Sequence, residues 1–553
     1  MVETILPGTY VTVRDEALIS AGRVISGNIG IVGTATKGPV DEVVILGGFS
    51  EAKEIFGEVG ESETLTLIRA LEQIYNNGGN TVYAVRTASA AATGAAYQLK
   101  SAADANLAKL QAKTPGTWGN DLLIKVGAAD APSFLRETLP WNAATLHRTK
   151  VVKDSGLNNI TVVQKSTGLT LRYAIVYDVP PDNTQPQAGI NTTTGALTFT
   201  TLAGFVPVAA DTIIATYEVP TANSRKVELI DQTVKETYTI ADASHLASLV
   251  NQASTLVFVD SASETAFFNQ LPKNTNLNGE KFGTGLSGHT AGNDGADATA
   301  TDYKDSLAKL ENEIVNIVVL AGQDVSNAQM VTALVGHLNT TAEIRRERMA
   351  VIGSGSDDVN TIAGHSLDSE RLIFVAPGIR VSPQSTLSGA YTAAAIAGLL
   401  SALPVQTSPT NKPLNIPGLS AEFSSSQLEK LVTARVLAIE KRDGIRVVKG
   451  ITTATNSAWH QITTRRIVDF AIYGVRSSCN PYIGKLNNER VRGAMKATLD
   501  AFLTRMVQDE ALISYELDVF ATRAQEIAGE AIVTMTVRPT FSIDFVKVTL
   551  YLG

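Results

Sequence analysis

The chain has a single cysteine, Cys479, in 553 residues. That excludes an intrachain disulfide and any cysteine-based metal site, and gives no sign of an oxidising compartment. Lying before Asn480-Pro481, it reads as a small buried residue. Histidine is scarce as well. His147, His245, His289, His337, His365 and His460 are the whole set, and none pairs at H-x-x-x-H spacing, so zinc catalysis has no support and no metal or other cofactor is expected. Long apolar runs are missing: none approaches the roughly 20 residues that span a bilayer, so no membrane insertion is expected. The opening Met-Val-Glu-Thr-Ile-Leu-Pro-Gly lacks the basic and apolar segments of a secretory signal, and the expectation is a protein made and kept soluble in a cytoplasm. Positive charge is short overall, with a net charge of −8 and a pI near 5.5. This argues against direct nucleic-acid binding, which needs surplus Lys and Arg to neutralise phosphates. From Lys441 onward the balance reverses, with 15 Lys+Arg against 11 Asp+Glu. A basic end on an acidic body suits an acidic partner, and it equally suits plain variation among solvated faces.

What the chain does have is core material: 44% hydrophobic against 18% charged residues, enough for roughly three or four domains. The fold class expected is multidomain α/β. Residues 1–20 read as an extended arm, since Leu6-Pro-Gly-Thr-Tyr-Val-Thr-Val13 places β-branched and aromatic residues after a turn signal. In an α/β segment over 21–98, Ile29–Ala35, Val43–Leu46 and Thr81–Arg86 read as strands. Ser50 is the expected cap of a helix Glu51–Phe56 that Gly57 ends. Over 99–222, Thr and Val replace helical periodicity, turns such as Pro180-Pro-Asp-Asn183 punctuate short strands, and a β-sandwich or barrel is expected, with Arg172–Val179 and Ile213–Val219 among its strands.

Over 223–425 apolar runs alternate with helices. Leu256–Val259, Ile314–Leu320, Ala350–Ile352 and Leu372–Val375 read as strands covered on both faces, hence a parallel, doubly wound sheet. A helix with a capping box is expected at Ser326–Gln329 and a small-residue helix at Ala393–Leu400; Leu403–Pro417 reads as a linker. An α+β block over 426–553 opens with a capping box at Ser426–Glu429 and holds an amphipathic helix over Asn488–Gln508. Its last segment, Phe541-Ser-Ile-Asp-Phe-Val-Lys-Val-Thr-Leu-Tyr-Leu552, reads as an apolar strand that must pair within its own chain or with a neighbour.

Three patterns carry potential chemistry. Gly283-Thr-Gly-Leu-Ser-Gly288 matches G-x-G-x-x-G, yet its flanks are polar and flexible where a dinucleotide site needs a strand before and a helix after; it reads as a plain glycine-rich loop. Thr464-Arg-Arg466 with Arg490 and Arg492 would suit an anion, but Asp469 and Glu489 beside them favour ion pairs. A parallel α/β domain followed by a small-residue helix is similar to the layout of subtilisin-like peptidases. Setting Tyr391-Thr-Ala-Ala-Ala-Ile-Ala-Gly398 on that family's pattern puts Ala390 at the nucleophile, with Ser388 two residues away and no H-G-T-H motif. Alanine cannot attack a carbonyl, so no catalytic residue is expected and the chain reads as not an enzyme.

Along most of its length the chain resembles the contractile tail sheath proteins of myophages and related contractile injection systems. The resemblance rests on Pro7-Gly-Thr-Tyr-Val11, Val32-Gly-Thr-Ala35 with Lys37-Gly-Pro39, Phe49-Ser-Glu-Ala with Phe56-Gly57, and Pro115-Gly-Thr-Trp-Gly-Asn120. Further along it rests on Gly292-Asn-Asp-Gly295 with Asp302-Tyr303, on Arg446-Val-Val-Lys-Gly-Ile-Thr-Thr453, and on Phe541-Ser-Ile-Asp544. It implies a subtilisin-like parallel-sheet domain without proteolytic activity, a β-sandwich insertion, and a C-terminal α+β domain nearest an inner tube. It also implies N- and C-terminal arms that exchange strands between subunits, with Pro7, Tyr10, Val11, Val13, Phe545, Val546, Val548 and Leu550 as the intersubunit residues. The implied partners are further copies of the chain in a helical sheath, the tail tube protein, and the baseplate and tail terminator proteins. The implied place is the virion tail, assembled in the host cytoplasm. Two other readings are a subtilisin-like serine hydrolase and a passive shell or surface-layer protein.

Overall fold

The structure is a computed structural model that describes residues 26–550 apart from 60–61, 102, 143, 149, 183–184, 201–205, 233, 263–279, 284–287 and 545–546. The described chain forms two compact units. One comprises the residues up to Ala35, Val40–Ser89 and those from Ala296 onward; the other comprises Thr36–Pro39 and Ala90–Gly295.

The first unit is built on an eight-stranded sheet. Its strands run in the order Val43–Leu46, Val82–Arg86, Ile29–Gly33, Ile317–Asp324, Met349–Gly353, Leu372–Ala376, Leu437–Lys441 and Ile445–Val447. The six inner strands pair in parallel and the two edge strands pair antiparallel. Side chains alternate across the sheet as a period of two requires. Ile29 and Ile31 enter a core with the helices Leu67–Asn76 and Gly389–Ala402, while Val32 enters the opposite core with Leu307, Leu334 and Leu338. Every residue of Ile29–Gly33, Met349–Gly353 and Leu372–Ala376 is buried, which is why these strands are continuous apolar runs. The small residues of the Gly389–Ala402 helix permit close packing: a Cβ added at Gly398 would overlap the Ile74 carbonyl. Ser89 and Asp297, the residues flanking the long excursion into the second unit, are joined by a 2.6 Å hydrogen bond from Ser89 Oγ.

The second unit holds two β cores. A six-stranded sheet buries one face of Ser133–Pro140, Asn159–Val163 and Thr212–Val219, whose buried residues alternate perfectly along the last strand. A four-stranded and a three-stranded sheet share another core with the helix Ala243–Ala253, around Tyr97, Leu110, Ile124, Val227 and Leu246.

Several expectations shift. The run at Leu256–Val259 is a strand, Val257–Ala262, but it pairs antiparallel with Asn106–Ala112 in the second unit and not with the parallel sheet. A continuous apolar run specifies burial without naming the partner. Consequently the β region is larger than 99–222, and the strands over 437–447 belong to the sheet that a boundary at 426 would cut. Caps fall on neighbouring polar residues. Gly48, with no side-chain bond, precedes Phe49–Phe56 where Ser50 was expected; Asn327 caps Ala328–Glu343; Ser424 with Gln427 forms the box before Ser425–Thr433. The Leu403–Pro417 stretch is packed and not a free linker, because Val405, Leu414 and Ile416 are buried.

A candidate strand-exchange site

The C-terminal part of the first unit has its own small core. Helices Ile462–Cys479 and Glu489–Gln508 pack with the Phe470 and Phe502 rings stacked at 6.0 Å. The approach needs glycine at position 474, where a Cβ would overlap the Phe502 ring. Asn488 caps the second helix by accepting from the Val491 N–H. Leu499, Phe502 and Met506 of its expected apolar stripe are buried, whereas Val491 and Met495 are half-buried.

On this helix lies a ribbon of two antiparallel strands, Leu512–Phe520 and Ile532–Pro539. Paired residues Tyr515 with Val537 and Leu517 with Met535 join the core of Phe502, Leu503 and Met506. Paired residues Glu516 with Thr536 and Asp518 with Thr534 form the other face and are exposed. Among the described residues neither outer edge of this ribbon carries a further strand. A two-stranded ribbon is marginal by itself, so the helix beneath it supplies its stability, and each open edge offers unpaired backbone N–H and C=O groups to an incoming strand.

Directly after the ribbon the chain becomes the terminal segment. Its described residues, 541–544 and 547–550, form no strand in the isolated chain, contrary to the expected strand Phe541–Leu552. The physical reason is local. Ser542 and Asp544 turn toward the body, where the Ser542 N–H donates to Gln461 Oε1 at 3.3 Å and Gln461 Nε2 donates to Asp544 Oδ2 at 3.3 Å. Phe541 and Ile543, 60% and 82% exposed, turn outward. The segment is therefore tied by side chains and has no backbone ladder to make it a strand. Of the expected intersubunit residues, Val548 and Leu550 are exposed; Pro7, Tyr10, Val11, Val13, Phe545 and Val546 lie outside the described residues. Residue-level reasoning missed Lys449 and Gln461 as companions of this segment. The available signal was a polar residue at every second position of Phe541-Ser-Ile-Asp544.

The arginine cluster resolves into intrachain contacts. Arg465 reaches Glu370 at 2.8 Å and Asp469 at 2.7 Å, and Arg371 also pairs with Asp469 at 2.7 Å. Buried Arg466 donates to the carbonyls of Leu400 and Leu403 at 2.8 and 3.0 Å. Arg492 pairs with Glu526 at 3.0 Å. Ser388 is a helix cap that accepts from the Ala390 N–H, and Ala390 is fully buried. Among the described residues no group of three His, Cys, Asp or Glu side chains is placed to hold a metal ion, and no helix is long and apolar enough to cross a membrane.

Comparison with known proteins places this architecture. Residues 296–453 match the family described as phage tail sheath protein central domain, and residues 454–553 match the phage tail sheath C-terminal domain. The first of these matches begins where the chain re-enters the first unit. Residues 296–553 therefore carry the central and C-terminal domains of the phage tail sheath family. It is 22% identical over 543 residues to the tail sheath protein of Bacillus phage SP01, covering 92% of this chain and 89% of that protein. Its fold is similar to the sheath tail protein of Desulfitobacterium hafniense, with a TM-score of 0.58 at 14% identity over 96% of this chain and 100% of that one. It is also similar to the sheath tail protein of Listeria innocua, with a TM-score of 0.60 at 13% identity over 94% of each chain.

Proposed function

We propose that this chain is the repeating subunit of a contractile tail sheath, a structural protein that polymerises helically around a tail tube and shortens to drive that tube through a target envelope. The observation that carries the reading is the open-edged ribbon with an outward-facing apolar segment rooted beside it, in a chain that carries the central and C-terminal domains of the phage tail sheath family. A ribbon that accepts a strand and a segment that supplies one form a heterologous contact, which repeats without closing and generates a helix. In this reading the N-terminal residues Pro7, Tyr10, Val11 and Val13 and the C-terminal residues Phe545, Val546, Val548 and Leu550 are the exchanged anchors. The partners are further copies of the chain, the tube protein, and the baseplate and terminator proteins at the two ends, within a virion tail assembled in the host cytoplasm.

The parallel-sheet unit is, on the same reading, a subtilisin-like scaffold without chemistry. Ala390 stands where the nucleophile would be, and the hydroxyl of Ser388 is used as a cap. Contraction then works as rigid subunits exchanging one lattice for another with more contact, the arms keeping neighbours joined. Negative-stain microscopy of the purified full-length chain tests this. Helical tubes in long and short forms are the expected result. A single fixed lattice would favour a passive shell, and a chain that stays monomeric at high concentration would sink the sheath reading.

A further inference from the structure

Two stretches of the resemblance far apart in sequence, Arg446–Thr453 and Phe541–Asp544, meet in space at one carboxylate. Lys449 Nζ lies 3.6 Å from Asp544 Oδ2, and their side chains are only 19% and 12% exposed. Gln461 Nε2 donates to the same oxygen at 3.3 Å, while its Oε1 accepts the Ser542 N–H at 3.3 Å. Ser542 Oγ donates to Asp544 Oδ1 at 3.1 Å, so both carboxylate oxygens are engaged. Gln461 directly precedes the helix Ile462–Cys479, and Lys449 follows the edge strand Ile445–Val447. The receptor is therefore made of rigid elements of the body, and the captured group lies just before Phe545.

We infer that Lys449 and Gln461 form a latch on Asp544 that positions the root of the C-terminal arm, so that the arm leaves the body along one path with Phe541 and Ile543 presented outward. The inference rests on the strand-exchange reading for its purpose, though the latch itself is a property of the single chain. Its physics is that of a half-buried ion pair whose carboxylate oxygen also accepts a hydrogen bond from Gln461. Such a pair holds geometry more firmly than an exposed one, and removing one partner leaves a charge without its counterpart. Pre-ordering the root lowers the entropy cost of inserting the arm into a neighbour. Lys449, Gln461 and Asp544 are thus positioning residues; the strand they aim makes the contact.

The test uses the full-length protein with Lys449→Met, Asp544→Asn, and the exchanged pair Lys449→Asp with Asp544→Lys. Each single variant is expected to melt close to wild type. Exchange of the Ser542 amide, which donates to Gln461 Oε1, is expected to speed up about tenfold as the root opens, and tubes are expected to be fewer and irregular. The exchanged pair restores the ion pair but not the carboxylate that Gln461 Nε2 and Ser542 Oγ donate to, and is expected to recover part of the slow exchange and of the tube order. Unchanged exchange of the Ser542 amide in the single variants, or an exchanged pair no better than either single, would overturn the latch. Should Asp544→Asn unfold, Gln461→Ala carries the same exchange measurement without altering charge. If wild type forms no tubes, the sheath reading fails, while exchange and the exchanged pair still decide the latch.

Discussion

Arg348 Nη1 sits 3.2 Å from His337 Nε2 in the interior of the first unit, where the two residues are 1% and 6% exposed. The guanidinium also donates to the carbonyls of Leu310, Glu311, Glu313 and Arg346. Since arginine carries only donors, the histidine nitrogen facing it must offer a lone pair, and the ring is held neutral. Burial, with the nearby Arg348 charge adding to it, pushes His337 down to about 3. Burial also pushes His245 down to about 4, again with an arginine charge, that of Arg148, contributing.

Stability should therefore fall as acid is added, beginning well above the carboxylate range. Both folded values lie below the ordinary value of 6.5, so the contribution is complete above pH 6.5 and is lost as pH falls toward 4 and 3. Each histidine adds a slope of at most about 1.4 kcal/mol per pH unit. Urea midpoints between pH 7.5 and 4.5 measure this. His337→Gln, which keeps an acceptor for Arg348, is expected to flatten the profile; parallel profiles would contradict the assignment.

Gly474→Ala should destabilise the C-terminal helix pair by about 1–3 kcal/mol, the usual cost of an extra carbon in a packed core. The added carbon meets the Phe502 ring. Thermal melting combined with amide exchange over 462–508 checks this, and a variant as stable as wild type would show that the helices have room to part.

Deleting residues 545–553, or residues 1–18, should abolish tubes while leaving a folded monomer. Val548 and Leu550 are exposed and belong to none of the described hydrophobic cores, so their loss takes no core packing from the chain. Sedimentation and circular dichroism report the monomer and microscopy reports assembly. A truncated chain that still builds ordered tubes would refute the exchange of arms.

A serine-directed fluorophosphonate should leave the protein unlabelled. Ser388 Oγ is engaged as a cap and Ala390 offers no hydroxyl. Mass spectrometry of the treated protein, searching for an adduct at Ser388, decides between this and a hydrolase.

Much of the parallel sheet was legible because burial on both faces turns strands such as Met349–Gly353 and Leu372–Ala376 into unbroken apolar runs. The same signal misplaced Val257–Ala262, since an apolar run does not say which sheet will cover it. Starts read from capping residues fell within two residues, because Ser326 and Asn327 are both good caps and only backbone geometry chooses between them; the small-residue helix, expected from Ala393, begins four residues earlier at Gly389. The ribbon and its terminal segment were partly legible. Alternating Phe541 and Ile543 announced a strand, whereas Ser542 and Asp544 are held by Gln461 and no backbone ladder forms. The Lys449–Asp544 contact joins positions 95 apart, and no local pattern encodes such a distance.

The hydrogen bond between Ser89 and Asp297 has a consequence for how the chain is threaded. It brings the departure and return points of a 206-residue excursion, Ala90–Gly295, side by side on the first unit. Strand order in the large sheet does not depend on what is spliced between those points. A module of different length spliced between those points is expected to leave the threading of the chain on either side unchanged.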